Sequence, residues 1–144
     1  MDRRKFVGID PSPDYVRRAT ELFPEAKFKC GTVGTVALEE ENFDLIVISG
    51  VLHHVDDDEA VEIMRFANTH KSDRGKIIAV DPVFFPGQNF IAKWMARADR
   101  GKNVRTADSL EQLWRNALPT STIQISIKSG YLRVPYNHVV CTVG

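Results

Sequence analysis

What this chain lacks narrows its function before any motif is found. No stretch approaches the roughly 20 consecutive apolar residues of a membrane-spanning helix. The basic start Met1-Asp2-Arg3-Arg4-Lys5 leads into a short strand pattern, with no apolar signal core. A cytoplasmic location and no membrane partner are therefore expected. Charge of one sign is also missing: 19 lysines and arginines balance 19 aspartates and glutamates. With no net field, nucleic acid is not an expected partner. Cysteine is scarce. Cys30 and Cys141 lie in strand-like apolar stretches without a second Cys or a His at ligand spacing, so both are read as buried thiols and no metal site is expected. HExxH, CxxC, Walker and Gly-x-Ser-x-Gly elements are all absent, which removes the ordinary metalloprotease, zinc, phosphoryl-transfer and serine-hydrolase signatures. With no repeat or linker in 144 residues, 43% of them hydrophobic, a single domain over 1–144 is expected.

What is present alternates. Lys5 to Asp10 reads as a strand. After Pro11-Ser12-Pro13, the apolar positions Tyr15, Val16, Ala19, Leu22 and Phe23 recur at helical spacing. Ala26 to Cys30 is a second strand, and Ala37 to Glu41 is expected to form one or two helical turns. Phe43 to Ser49 is an apolar, β-branched run of the kind that sits centrally in a parallel sheet. Asp56-Asp57-Asp58 offers cap oxygens to a helix over Glu59 to Asn68, and Lys76 to Val80 is the next buried strand. Phe84 to Asp108 mixes aromatic and basic residues and is expected to supply a helix and a pocket-covering loop. A helix over Ser109 to Ala117 and an antiparallel pair, Thr122 to Lys128 with Val134 to Val143, complete the chain. The expectation is an α/β, Rossmann-like, mostly parallel sheet with helices on both faces and an antiparallel C-terminal strand pair.

Sheets of this kind take ligands outside the carboxyl ends of their strands, which singles out Asp10, Gly31, Ser49 to His54 and Asp81 to Phe85. A carboxylate at Asp10 suits the two hydroxyls of a ribose, or simply caps the helix beside Pro11. His53 and His54 follow the strand directly and suit a general base or a substrate contact, although two adjacent imidazoles point in different directions and one of them can serve packing alone.

The segments Phe6-Val7-Gly8-Ile9-Asp10-Pro11-Ser12-Pro13, Phe43-Asp44-Leu45-Ile46-Val47-Ile48-Ser49-Gly50-Val51-Leu52-His53-His54-Val55 and Gly75-Lys76-Ile77-Ile78-Ala79-Val80-Asp81-Pro82 occur in this order. Together they resemble the second, fourth and fifth strands of class I S-adenosylmethionine (SAM)-dependent methyltransferases. The stretches Asp81 to Gln88, Asp99 to Arg105 and Arg133 to His138 are similar to a subgroup of small bacterial members.

The resemblance implies that SAM is the cofactor. Asp10 would hold its ribose, Ile9 and Pro11 would flank the adenosine, and Ser49 and Gly50 would lie near the methionine part. Thr32 stands where many relatives carry an acid for the adenine amino group, so it would give only a neutral contact. His53, Tyr136 and Asp81 would face a small-molecule acceptor, with His54 or His138 deprotonating it. Arg97 and Arg100, with Arg105, suit an anionic acceptor or form a solvated face. The family's first strand and glycine-rich loop would precede Phe6, where five residues stand, so a shortened domain is expected. Three repairs of its sheet are weighed: direct pairing of the flanking strands, a strand from a second copy in a homodimer, or filling by the N-terminal residues. The expected activity is methyl transfer. The alternative is a noncatalytic methyltransferase-like binding module, and a reductase using Asp10 for ribose is a third reading without a glycine fingerprint to support it.

Overall fold

The computed structural model describes residues 6–39, 42–84, 103–129 and 137–144. The chain falls into two compact units, Met1–Glu39 and Glu40–Gly144.

The first unit is one strand–helix–strand motif. Strand β1 (Val7–Asp10) pairs in parallel with β2 (Lys27–Cys30), with Val7 opposite Lys27 and Asp10 opposite Cys30. Helix α1 (Pro13–Leu22) connects them. Its start is written in the sequence: Pro13 pre-sets the helical φ, and the Ser12 side chain accepts the Tyr15 N–H at 3.4 Å. Tyr15, Leu22 and Phe23 stay more than 60% exposed despite their helical spacing. The short helical segment expected from Ala37 does not form over 37–39. Instead the Lys29 ammonium donates to the Ala37 carbonyl at 2.6 Å.

The second unit is a four-stranded sheet in the order β3-β4-β6-β5, comprising β3 (Phe43–Ser49), β4 (Lys71–Pro82), β5 (Ile123–Ser129) and β6 (Asn137–Val143). β3 and β4 run parallel, whereas β6 is antiparallel to both β4 and β5, as the C-terminal pattern leads one to expect. Helix α2 (Asp57–His70) crosses over between the parallel strands, and α3 (Ala107–Ala117) precedes β5. Asp56 and Thr106 cap these helices by accepting the N–H groups of Glu59 at 3.0 Å and Ser109 at 3.1 Å, each a contribution of about 1 kcal/mol. Directly paired residues of β4 and β6, Ile77 with Val143 and Ala79 with Cys141, form one buried face. Ala60 and Met64 of α2 and Leu110 and Trp114 of α3 join these residues in one core cluster.

One expectation changes here. Among the described residues Phe43–Ser49 has one hydrogen-bonded neighbour, β4, where a central strand would have two, and its side chains Leu45 and Val47 are 54% and 59% exposed. Strand β4 also starts earlier than its apolar run, because a bulge between Phe43 and Leu45 shifts the register from Lys71 to Lys76. Gly75 sits in that bulge. A Cβ there would lie 2.5 Å from the Phe43 carbonyl oxygen and 2.8 Å from Lys71 Cγ.

The two cysteines also part ways. Cys141 is fully buried, and burial above all, aided by the charge of Glu111, pushes its thiol from 9.0 up to about 12. Cys30 is exposed, against expectation, because β2 is too short and too open to cover it.

Two outcomes follow from this packing. Gly75→Ala should destabilise the fold by about 1–3 kcal/mol, since the clash is with backbone; an unchanged urea midpoint would contradict the bulge geometry. Iodoacetamide should alkylate Cys30 in the native protein and spare Cys141 until unfolding. Because the native thiol holds its proton more tightly than the unfolded one, its contribution to stability is complete below pH 9.0 and drains away as pH rises toward 12. Urea midpoints measured across that window would check the sign.

Candidate functional site

Each unit places candidate residues at the carboxyl ends of its strands, and each set is built differently. In the first unit, Ile9 and Asp10 close β1 and are half-buried, and Pro11 is exposed. One carboxylate oxygen of Asp10, Oδ1, accepts the Ser12 N–H at 2.8 Å. Asp10 is thus both a local turn former and a carboxylate whose other oxygen has no partner among the described residues. Beside it lies a cavity of about 220 Å³ lined by Gly8, Ile9, Asp10, Tyr15 and Phe28, among others. Thr32 is exposed after β2, where its N–H donates to Thr35 Oγ1 at 2.9 Å.

In the second unit the sheet ends converge more tightly. Ser49 and Gly50 leave β3 exposed, with the Gly50 N–H donating to the Val80 carbonyl at 2.8 Å. Gly50 adopts φ +63°, the left-handed region that favours glycine. Among the described residues, a Cβ added there would meet only His53 Cε1, at 3.8 Å. The chain then makes a single 3-10 turn over Leu52–His54. Asp81, at the end of the neighbouring β4, reaches into this turn. Its Oδ1 accepts the His53 N–H at 3.1 Å and lies 2.7 Å from His53 Nδ1, while its Oδ2 accepts the Leu52 N–H at 3.3 Å. Both side chains are buried, Asp81 at 2% exposure and His53 at 6%. A carboxylate has no proton to give, so His53 Nδ1 is the donor in this contact and the ring carries its hydrogen there. The exposed His54 ring lies against that of His53, with centroids 3.9 Å apart.

A second clasp holds the same turn. The Arg105 guanidinium donates from Nη1 to the carbonyls of Leu52 (2.5 Å) and Asn103 (3.3 Å), and from Nη2 to the carbonyl of Val55 (3.0 Å). It also grips Asp57 Oδ1 through Nε at 2.8 Å and Nη2 at 2.7 Å. The Asn103 N–H donates to the His53 carbonyl at 3.0 Å. Arg105 therefore spends its donors inside the protein. Neither an anionic acceptor nor a solvated face describes it, since charge pattern alone does not reveal three carbonyls converging on one guanidinium.

His138 pairs with Pro82 across the β4–β6 ladder, one residue beyond the Asp81–Val139 pair, so topology brings it to the carboxyl end of β4. Arg97, Arg100 and Tyr136 lie outside the described residues. The structure thus joins His53 to Asp81 and to His54. Two features escaped sequence reasoning: the pairing of His53 with Asp81, and the clasp formed by Arg105 with Asp57. Only the first carried a signal, because both of its members stand at ends of parallel strands.

With this geometry in place, the comparisons become informative. A family described as a methyltransferase domain matches residues 1–82, more than half of the chain. The chain belongs to the class I SAM-dependent methyltransferase family. Among solved structures it is similar to the PH0226 protein of Pyrococcus horikoshii, with TM-score 0.69 and 16% identity over 97% of this chain and 71% of that one. It is similar to LepI in its complex with SAM, with TM-score 0.69 and 16% identity over 97% of this chain and 36% of that one. It is likewise similar to the mitomycin 7-O-methyltransferase MmcR, with TM-score 0.70 and 15% identity over 97% of this chain and 42% of that one. At these identities the likeness is one of fold, and the chain spans well under half of the latter two. No curated protein sequence matches it. The Rossmann-like α/β class is that of these solved structures.

The Arg105 clasp makes a graded prediction. Arg105→Ala strands the carbonyls of Leu52 and Val55 and should cost about 2–3 kcal/mol. Asp57→Asn removes only a partner that is 71% exposed and should cost less than about 1 kcal/mol. Paired urea titrations would test the order, and equal losses would mean that the ion pair, not the carbonyl contacts, holds the turn.

Proposed function

We propose that this methyltransferase-family domain, taken as one unit over 1–144, transfers the methyl group of SAM to a small-molecule acceptor. The observation that carries this is the state of Asp10. It is a strand-end carboxylate with one oxygen anchored to the Ser12 N–H and the other without a partner among the described residues, beside an apolar cavity. That is the arrangement needed to accept hydrogen bonds from a ribose diol. The cavity walls suit the less polar parts of an adenosine, with Ile9 and Pro11 flanking it and Thr32 adding a neutral contact. In the other unit, the bare backbone at Gly50 and the exposed Ser49 suit the methionine part. LepI, a fold relative, is known in complex with SAM.

SAM supplies an electrophilic methyl group on a sulfonium, so the protein's own task is to orient the acceptor and receive its proton. His54, exposed on the turn, and His138, at the end of β4, suit contact with the acceptor side. Tyr136, Arg97 and Arg100 complete that side in this reading. A cytoplasmic location and a homodimer in which a second copy pairs with β1 or β3 are part of the same proposal. Sedimentation of the purified chain tests the dimer.

The alternative, a noncatalytic binding module, would keep the fold without needing a cofactor. Calorimetry with S-adenosylhomocysteine separates the two readings. The native protein should bind it, and Asp10→Ala should weaken binding by about 10- to 100-fold, the equivalent of losing hydrogen bonds to a charged group. No heat of binding up to millimolar ligand would overturn the enzymatic reading.

A further inference from the structure

We infer that Arg105 is a positioning residue for the amino-acid end of SAM: it acts on that end through the turn over residues 50–55, which it holds in shape. The inference rests on the methyltransferase reading above and deepens it, because it makes recognition of the amino-acid end depend on one residue and recognition of the adenosine end on another.

The turn has little within it to fix its shape. The 3-10 turn over Leu52–His54 is closed by a bond from the His54 N–H to the Val51 carbonyl at 3.0 Å. Gly50, at its head, adopts φ +63°, and a glycine backbone is held in place chiefly by what surrounds it. The anchors come from outside the turn. On the N–H side they lie on β4: Gly50 donates to the Val80 carbonyl at 2.8 Å, and Leu52 and His53 donate to the Asp81 carboxylate at 3.3 and 3.1 Å. On the carbonyl side they lie just before α3. Arg105 Nη1 donates to Leu52 at 2.5 Å, Arg105 Nη2 to Val55 at 3.0 Å, and the Asn103 N–H to His53 at 3.0 Å.

The segment that carries Arg105 is itself tied to the end of β4. The Phe84 N–H donates to the Arg105 carbonyl at 2.9 Å, and the Ala107 N–H donates to the Phe84 carbonyl at 3.2 Å. Residues 103–107 therefore strap together the carboxyl ends of the parallel strands β3 and β4, and the guanidinium joins that strap to the turn. Ser49 and Gly50 stand exposed where the turn leaves β3, at the end of the sheet where this architecture takes ligands. An error in the turn falls on them first. In the same reading the adenosine end belongs to Asp10, whose own anchor is the Ser12 N–H.

The role needs the shape of the guanidinium as well as its charge. The fork serves carbonyls on two sides while Nε grips Asp57 at 2.8 Å, and the Arg105 side chain is only 9% exposed. A lysine ammonium offers its donors from a single point. It would keep the charge opposite Asp57 and could not hold the carbonyls of Leu52 and Val55 together.

S-Adenosylhomocysteine and methylthioadenosine share the adenosine and the thioether sulfur, and only the first carries the amino-acid end. Calorimetry of the full chain with both ligands thus separates positioning from general damage to the fold. Arg105→Lys should weaken S-adenosylhomocysteine binding by about 10- to 100-fold, the scale on which a slightly misplaced group loses its effect. Methylthioadenosine should bind within about 2-fold of its affinity for the native protein. Arg105→Gln, which keeps donors but loses the charge and the fork, is the second variant and should show the same selectivity; circular dichroism at the calorimetric temperature checks that each variant is folded. Equal losses for the two ligands would mark a merely structural role and overturn the inference, and so would an undiminished affinity for S-adenosylhomocysteine. A native protein that binds both ligands equally would overturn it too, because no amino-acid end would then be recognised. If the native protein bound neither, the methyltransferase reading itself would fall, and the inference with it.

Discussion

The carboxylate of Asp81 is the contact on which this end of the sheet depends. It is nearly inaccessible to water, and it sits at the end of β4 with three N–H groups of the 52–53 turn pointing at it. A buried carboxylate without partners would carry a desolvation penalty of several kcal/mol. Here the turn that follows β3 is folded so as to supply donors, and the price of burial becomes a geometric constraint. Residues 52 and 53 have to face β4, which fixes the imidazole of His53 in the same stroke. Arg105 works on the opposite polarity of the same turn. It takes up the carbonyls that a single 3-10 turn leaves without intrahelical partners, while Asp81 takes up the N–H groups. Between one anion and one cation, few backbone groups in the turn are left to water.

That division depends on β4 being where it is, and β4 is fixed by packing. Its buried residues Ile77 and Ala79 pair directly with Val143 and Cys141 of β6, so any slip in register would turn an apolar row toward solvent and carry Asp81 away from the turn. The bulge near Gly75 absorbs the mismatch at the other end of the strand, where Phe43 pairs with Lys71 and Leu45 with Lys76. The site end is thus regular and the remote end irregular, which is the order expected if register is set by the core and the slack is taken up where no ligand-facing residue stands.

Most of the architecture was legible because it follows from periodicity and punctuation. The β-branched run at Phe43 to Ser49, the cap oxygen of Asp56, and the alternation in the last twenty residues each have one good structural interpretation. Other features were not legible, for identifiable reasons. The run Phe43–Ser49 reads as a central strand because its composition is apolar on both faces, yet the number of hydrogen-bonded neighbours is a property of the rest of the chain and leaves no mark on the run itself. Cys30 reads as buried because its neighbours alternate, but a four-residue strand beside a helix with no fully buried residue covers little. Arg105 reads as one of several surface cations; what distinguishes it is the convergence of carbonyls from residues 50 to 53 positions earlier in the chain.

Two sites share one sequence signature and diverge in use, and the comparison shows where a sequence stops being informative. Val-Gly-Ile-Asp10-Pro and Ile-Ala-Val-Asp81-Pro are both apolar strands closed by Asp-Pro. At Asp10 the nearest donor is local, the N–H two residues ahead, and nothing else in the described residues competes for the second oxygen. That carboxylate is left half-buried. At Asp81 the donors come from 28 and 29 residues earlier, both oxygens are taken, and the following Pro82 is itself buried in the ladder with β6. The same dipeptide therefore yields one carboxylate with an oxygen unmatched among the described residues and one with both oxygens engaged. The difference lies entirely in which backbone N–H groups the fold brings within about 3 Å, the reach of a hydrogen bond. A search by strand-end position finds both carboxylates, and the donor count around each one tells them apart.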